Sequence, residues 1–173
     1  PLSYYAFQML YWCGIRVGEL LALTPSDFDF NNKTVTISKS YQRLHGEDII
    51  TSPKTPKSNR TIKMPQFLCD EMQEYINMFY EAGENDRIFP ISKSYLHHEM
   101  DRGSDKAGVK RIRIHDLRHS HVSLLIDKGF QPLAIADRVG HESVDITYRY
   151  AHLFPSKQIE MVNTLDEIWK GDN

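Results

Sequence analysis

The residues of this chain best suited to do chemistry are two arginines, two histidines and a tyrosine, scattered along it. Arg16 stands in Gly14-Ile15-Arg16-Val17-Gly18-Glu19, His115 and Arg118 share His115-Asp116-Leu117-Arg118, His141 follows Gly140, and Tyr150 comes nine residues after His141. A guanidinium stays charged and offers a planar fork to two oxygens, so Arg16 and Arg118 suit the non-bridging oxygens of a phosphate diester. The histidines can hydrogen-bond the same group, and a tyrosine hydroxyl can attack its phosphorus. Cleaving a diester without a metal requires that its charge be neutralised through the transition state. Attack by tyrosine conserves the energy of the broken bond in a phosphotyrosine ester, so rejoining needs no ATP. No serine triad, Gly-rich phosphate loop or clustered carboxylate set competes for the role.

Several assignments within this set stay open on spacing alone. A tyrosine ionises near pH 10 in water, and two nearby arginines favour its phenolate. Tyr148 and Tyr150 both compete to be the nucleophile; on a helix they point about 200° apart, so only one can reach the clamp. The leaving oxygen needs a proton, for which Lys54 in the polar loop 52–59 is a candidate and Lys57 its rival. Glu19, one helical turn beyond Arg16, can orient it through hydrogen bonds. His115 and His119 have the i,i+4 spacing of zinc ligands, but no HExxH is present and neither cysteine lies near them in sequence, so no metal is expected. His97, His98 and His121 read as surface or structural residues, and His119 as a packing or supporting one.

The elements that must position these groups read as follows. Residues 2–13 are apolar at helical spacing up to Gly14, and a second helix runs from about Arg16 to Leu23 with Thr24-Pro25 as its stop. Residues 33–39 alternate as a strand does, and 48–51 and 60–64 are β-like, which predicts a small antiparallel sheet with the loop 52–59 at its tip. Pro65 opens a helix of about 17 residues with Phe67, Leu68, Met72, Tyr75, Ile76 and Phe79 on its apolar side. Further helices are expected over 92–107, 116–128, 132–139 and 143–150. A last one follows Pro155, with an apolar stripe of Ile159, Val162, Leu165, Ile168 and Trp169. The expected class is α+β, mainly helical, with the sheet packed on a helical bundle.

Composition sets outer bounds. The chain has 173 residues, enough for one domain with a real core. Cys13 and Cys69 are too few for a disulfide framework, so reduced thiols and a cytosolic setting are expected. No apolar run reaches the length of a membrane span. The net charge of −2 argues at first against a polyanionic partner. Its distribution argues for one. Residues 102–118 hold Arg102, Lys106, Lys110, Arg111, Arg113 and Arg118 against Asp105 and Asp116. Residues 70–86 hold Asp70, Glu71, Glu74, Glu81, Glu84 and Asp86 with no Lys or Arg. A basic face and an acidic back would follow, the acidic run being a solvated helix surface.

Taken together, Cys13-Gly14-Ile15-Arg16-Val17-Gly18-Glu19-Leu20, Lys54-Thr55 with Ser58 and Arg60, His115-Asp116-Leu117-Arg118-His119, Val139-Gly140-His141 and Tyr150-Ala151-His152 resemble the catalytic domain of tyrosine recombinases, the phage-type integrases. The resemblance covers nearly the whole chain. It implies that Arg16 and Arg118 are the catalytic arginines, that His115 and His141 share the scissile phosphate, that Lys54 rather than Lys57 is the general acid, and that Tyr150 rather than Tyr148 is the nucleophile. Glu19 matches the acidic position of the first motif. The resemblance further implies a single catalytic domain over 1–173, with a C-terminal helical segment from about 155 to 173 that often packs on a neighbouring protomer. DNA-binding domains would lie upstream, outside a fragment that begins at Pro1. The implied partners are double-stranded DNA and, in the full-length protein, three further copies forming a homotetramer; this fragment alone would be monomeric. No cofactor is implied, and the setting would be the bacterial cytoplasm. The expected task is integration or excision of a mobile element. A type IB topoisomerase-like enzyme, a DNA-binding regulator that has lost catalysis and a metal-dependent nuclease are the competing readings.

Overall fold

A computed structural model describes residues 2–53, 55–79, 83–154 and 156–171 of the chain. Lys54 lies outside the described residues. The chain opens with α1 (Leu2–Cys13), which buries Ala6, Met9, Leu10 and Cys13 on one face. Gly14 ends it at a positive φ of 62°. A Cβ at that position would also collide with the His121 ring, so glycine is required there twice over. Helix α2 (Val17–Ala22) starts with Arg16 as its N-cap and stops before the Thr24-Pro25 pair, where Pro25 opens a 3-10 turn.

Five strands follow: β1 (Phe28–Asp29), β2 (Thr34–Ile37), β3 (Ser40–Leu44), β4 (Glu47–Thr51) and β5 (Arg60–Lys63). They form two sheets rather than the single one expected. One is antiparallel in the order β1-β2-β5, with Val35 opposite Ile62; the other is the β3-β4 hairpin alone. Strand β3 escapes sequence reading because Tyr41 is its one buried residue, so alternation is barely visible. The hairpin closes through His45-Gly46, both at positive φ (50° and 85°), as a two-residue turn of matching twist requires. Tyr41 pins it: its hydroxyl donates to Asp48 at 2.8 Å and Arg87 lies 3.9 Å above its ring.

Helix α3 (Gln66–Asn77) is 12 residues long rather than about 17. Phe79 still packs on Tyr75, with ring centroids 5.1 Å apart, from beyond the helix, so its apolar character suggested helix where there is only contact. Helix α4 (Lys93–Ala107) is capped by Ser92, whose hydroxyl accepts from the Tyr95 amide at 3.1 Å. Then come α5 (Asp116–Asp127), α6 (Pro132–Val139), the single-turn α7 (Val144–Tyr148), a 3-10 turn over Ala151–Leu153, and α8 (Gln158–Gly171). Among the described residues no helix is long and apolar enough to cross a membrane.

The core is divided. A large cluster joins α1, α2, the first sheet and α3, and takes in Phe89, Leu96 and Ile114. A small one consists of Val122, Ile126, Ile135 and Val139, with Tyr150 and Phe154 packed against its edge. Helix α8 buries no residue at all. The basic run is less open than its sequence suggests: Arg102 pairs with Glu99 at 2.7 Å, Arg111 with Asp101 at 2.5 Å and Arg113 with Asp116 at 2.7 Å.

Candidate active site

The fold gathers the scattered set around one cavity of about 510 Å³, whose walls include Arg16, His115, Arg118, His119, His141 and Tyr150. Glu19 stands behind this wall. Its carboxylate accepts from the Arg16 backbone N–H at 2.8 Å and from Arg16 Nη1 at 3.1 Å, which fixes the arginine at the start of α2. Its stronger ties run to Arg60, which donates Nη1 to Oε1 at 3.0 Å and Nη2 to Oε2 at 2.9 Å. Glu19 and Arg60 expose 5% and 6% of their side chains, so this is a buried, bidentate ion pair. Burial pushes the Glu19 carboxyl up, but the Arg60 hydrogen bonds and charge, together with the Arg16 amide and charge, outweigh it and hold it below its ordinary value.

Arg60 is the residue that sequence reading undervalued. Beyond Glu19 it donates to the Ser58 carbonyl at 3.0 Å and the Arg138 carbonyl at 3.1 Å. It thereby joins β5 to α2 and to the end of α6. Gly140 adopts a φ of 70°, and a Cβ there would come within 2.9 Å of the Arg60 guanidinium. The arginine therefore sets the approach of the backbone that carries His141. The sequence held only a faint sign of this, one basic residue at the head of a strand.

Arg118, in the first turn of α5, is buried and donates Nη1 to the Gly14 carbonyl at 2.6 Å. Burial lowers its pKa to about 9, helped by the charges of Arg16 and Arg60 and opposed by Glu19 and Tyr150, so it remains a cation at neutral pH. His141 is buried, and its Nδ1 lies 2.7 Å from the Thr147 hydroxyl. Burial and then the charges of Arg118, Arg16 and Arg60 push its pKa down to about 4. His115 is shifted the same way, by burial and then by His119, Arg118 and Arg16. Both imidazoles are therefore neutral at neutral pH.

The two tyrosines part company here. Tyr148 ends α7 and is 53% exposed, and it does not line the cavity. Tyr150 lies beyond that helix, at the start of the 3-10 turn, with its ring against the small core and its hydroxyl on His119 Nδ1. The expectation that neighbouring arginines would favour its phenolate meets an opposing effect. Burial raises the Tyr150 pKa and outweighs the lowering by Arg118 and Arg149. His119, expected to pack or support, faces the cavity. His97 and His98 are exposed, and His121 is buried, accepting from Arg138 Nε at 3.1 Å. Lys57 is exposed and away from the cavity lining. Among the described residues no group of three or more His, Cys, Asp and Glu could hold a metal ion.

Two cations, two neutral imidazoles and a tyrosine hydroxyl on a mainly helical scaffold form a site suited to transferring a phosphodiester to tyrosine. The chain belongs to the phage integrase family, whose pattern matches residues 2–157. It is 32% identical over 176 residues to the ICEBs1 integrase of Bacillus subtilis, across 94% of this chain and 48% of that protein. It is 26% identical over 190 residues to a XerC-like tyrosine recombinase of Caldanaerobacter subterraneus, across 94% of this chain and 49% of that protein. Its fold matches that of the Tn1549 transposon integrase in complex with a circular intermediate DNA, with a TM-score of 0.78 at 21% identity, over 96% of this chain and 58% of that one. The chain thus spans about half the length of the curated relatives it matches.

Proposed function

We propose that this chain is the catalytic domain of a site-specific DNA recombinase that cuts and rejoins strands through a 3′-phosphotyrosine, in the integration or excision of a mobile element. The observation that carries the reading is the convergence of Arg16, His115, Arg118, His141 and Tyr150, spread over more than a hundred residues of chain, on one cavity. Arg16 and Arg118 clamp the non-bridging oxygens of the scissile phosphate, Arg118 held by the Gly14 carbonyl and Arg16 by Glu19. We assign the His141 proton to Nε2, with the Thr147 hydroxyl donating to Nδ1, so that the neutral ring donates a hydrogen bond to the phosphate. His115 shares that phosphate from the start of α5. Tyr150 attacks phosphorus. Lys54, on the sequence pattern alone, protonates the leaving 5′ oxygen.

The substrate in this reading is double-stranded DNA in the bacterial cytoplasm, and the longer protein works as a homotetramer on two duplexes. One relative is named an integrase, and the Tn1549 integrase, whose fold this chain shares, is named for a transposon, which supports that setting for this chain. The exposed apolar stripe of α8 supports packing of this segment on a neighbouring copy.

A nicked duplex spanning an end of the element that encodes the protein traps the covalent intermediate, because the short leaving strand diffuses away. The wild type is expected to form a protein–DNA adduct that persists in chelator, and Tyr150→Phe to form none. An adduct that survives Tyr150→Phe and disappears in Tyr148→Phe would assign the nucleophile to the other tyrosine.

A further inference from the structure

We infer that His119 is the proton acceptor for the Tyr150 hydroxyl, an inference that rests on Tyr150 being the nucleophile. The geometry carries it. His119 Nδ1 meets the Tyr150 hydroxyl directly, with the two ring centroids 5.9 Å apart. His119 lies one helical turn beyond His115 on α5, so both rings face the cavity, and they meet edge to face at 4.8 Å. This arrangement divides the two imidazoles between the two reacting groups: His115 stands on the arginine side and His119 on the tyrosine side.

The need for such a base follows from the surroundings of Tyr150. Its ring packs, as Leu125 and Phe154 do, against the edge of the small core. Burial there keeps the hydroxyl protonated in spite of Arg118 and Arg149. The clamp therefore does not supply the phenolate, and a neighbouring base must take the proton as attack proceeds. In cleavage the Tyr150 O–H bond breaks as its oxygen bonds to phosphorus, and the proton passes to His119 Nδ1. The bond from phosphorus to the 5′ oxygen breaks, and that oxygen takes a proton from the general acid. In rejoining the steps reverse, and protonated His119 returns its proton to Tyr150. Neutral His119 is the form that accepts the proton in cleavage. The charged and titratable groups facing it are His115, Asp116 and Arg118 on α5, Arg149, Tyr150 and His152 on the following segment, and Arg16 across the cavity.

The test uses the full chain and thymidine 3′-(4-nitrophenyl phosphate). Nitrophenolate leaves without a proton, so the rate of adduct formation reports nucleophile activation alone and is blind to the general acid. Mass mapping is expected to place the thymidine 3′-phosphate on Tyr150 of the wild type. His119→Asn keeps an acceptor near the Nδ1 position but no base, and is expected to slow adduct formation about 100-fold at neutral pH. Its rate should then climb with pH until the tyrosine itself ionises, where the wild-type rate has already levelled. Imidazole added to the buffer should restore His119→Ala, which a merely structural role would not allow. The inference falls if His119→Asn matches the wild type in rate and pH profile while the adduct still requires Tyr150. An adduct that maps elsewhere, or that survives Tyr150→Phe, overturns the assignment of the nucleophile and this inference with it.

Discussion

The two sides of the cavity are held in different ways. On the arginine side, Glu19, Arg60 and Arg118 are nearly inaccessible, and their polar atoms are tied to one another and to the carbonyls of Gly14, Ser58 and Arg138. These bonds cross four elements and lie against the large core. On the tyrosine side, Tyr150 is half-buried, held by the edge of a core of four fully buried residues, and followed by a three-residue turn and a helix with no buried residue. The proposed clamp is thus preorganised, while Tyr150, the proposed nucleophile, rests on the part of the fold with least packing behind it. That division suits the proposed function, in which phosphate charge is held rigidly while a tyrosine moves between free and DNA-linked states.

Removing the charge of Glu19 tests this comparison most severely. Glu19→Gln preserves shape but leaves Arg60 buried without its counter-ion, which is expected to cost about 3–5 kcal/mol. Tyr150→Phe should cost within about 1 kcal/mol, the worth of an ordinary hydrogen bond, although it is expected to abolish adduct formation. Urea unfolding midpoints of the two variants at equal slope measure the contrast. If Glu19→Gln costs no more than Tyr150→Phe, the arginine side is not the rigid one.

What could be read in the sequence follows the same line. The helices were most legible where α3 and α6 set an apolar face against a polar one, so that periodicity shows. The meeting of Arg16, His115, Arg118 and His141 at one cavity was legible because arginine and histidine types, in that order, have few other uses together. The β3-β4 hairpin was not, since it is half-solvated and held by one buried tyrosine with its Asp48 and Arg87 partners. The structural role of Arg60 was only faintly marked, for a different reason. Its partners lie up to 78 residues away, and nothing local marks a strand arginine as buried. Helical spacing left Tyr148 and Tyr150 open, and its premise does not hold, because the helix stops at Tyr148. The protonation of Tyr150 depended on burial, which no spacing reveals.

Acid should weaken the arginine side in a window set by its histidines. His141 and His121 both have folded pKa values of about 4, each pushed down first by burial and then by neighbouring arginines. In the unfolded chain they titrate near pH 6.5. Between those values the unfolded state binds more protons, so stability falls as pH drops from about 6.5 to about 4, by on the order of 3 kcal/mol for each histidine. His115, shifted in the same direction, adds to the slope. Thermal or urea denaturation across that window should show the loss, and His121→Gln should flatten it. A stability that stays level down to pH 4 would mean that these imidazoles are not held neutral by the fold.

The smallest expected effect concerns α8, the extreme of the loosely held side. Ile159, Val162, Leu165, Ile168 and Trp169 are 79%, 52%, 64%, 58% and 72% exposed, so the helix contributes little buried area to its own body. Deleting 158–171 should change the unfolding free energy by no more than about 0.5 kcal/mol, as for surface changes in general. A stripe of that size left in water is itself unfavourable, and it gains stability only when another surface covers it. If a neighbouring copy is that surface, the deletion should leave the monomer's stability intact and remove self-association on DNA, seen as a loss of the larger species in sedimentation. A deletion that instead lowers the unfolding midpoint of the isolated chain by several kcal/mol would show that the stripe serves its own body, and the contrast between the two sides of the molecule would disappear.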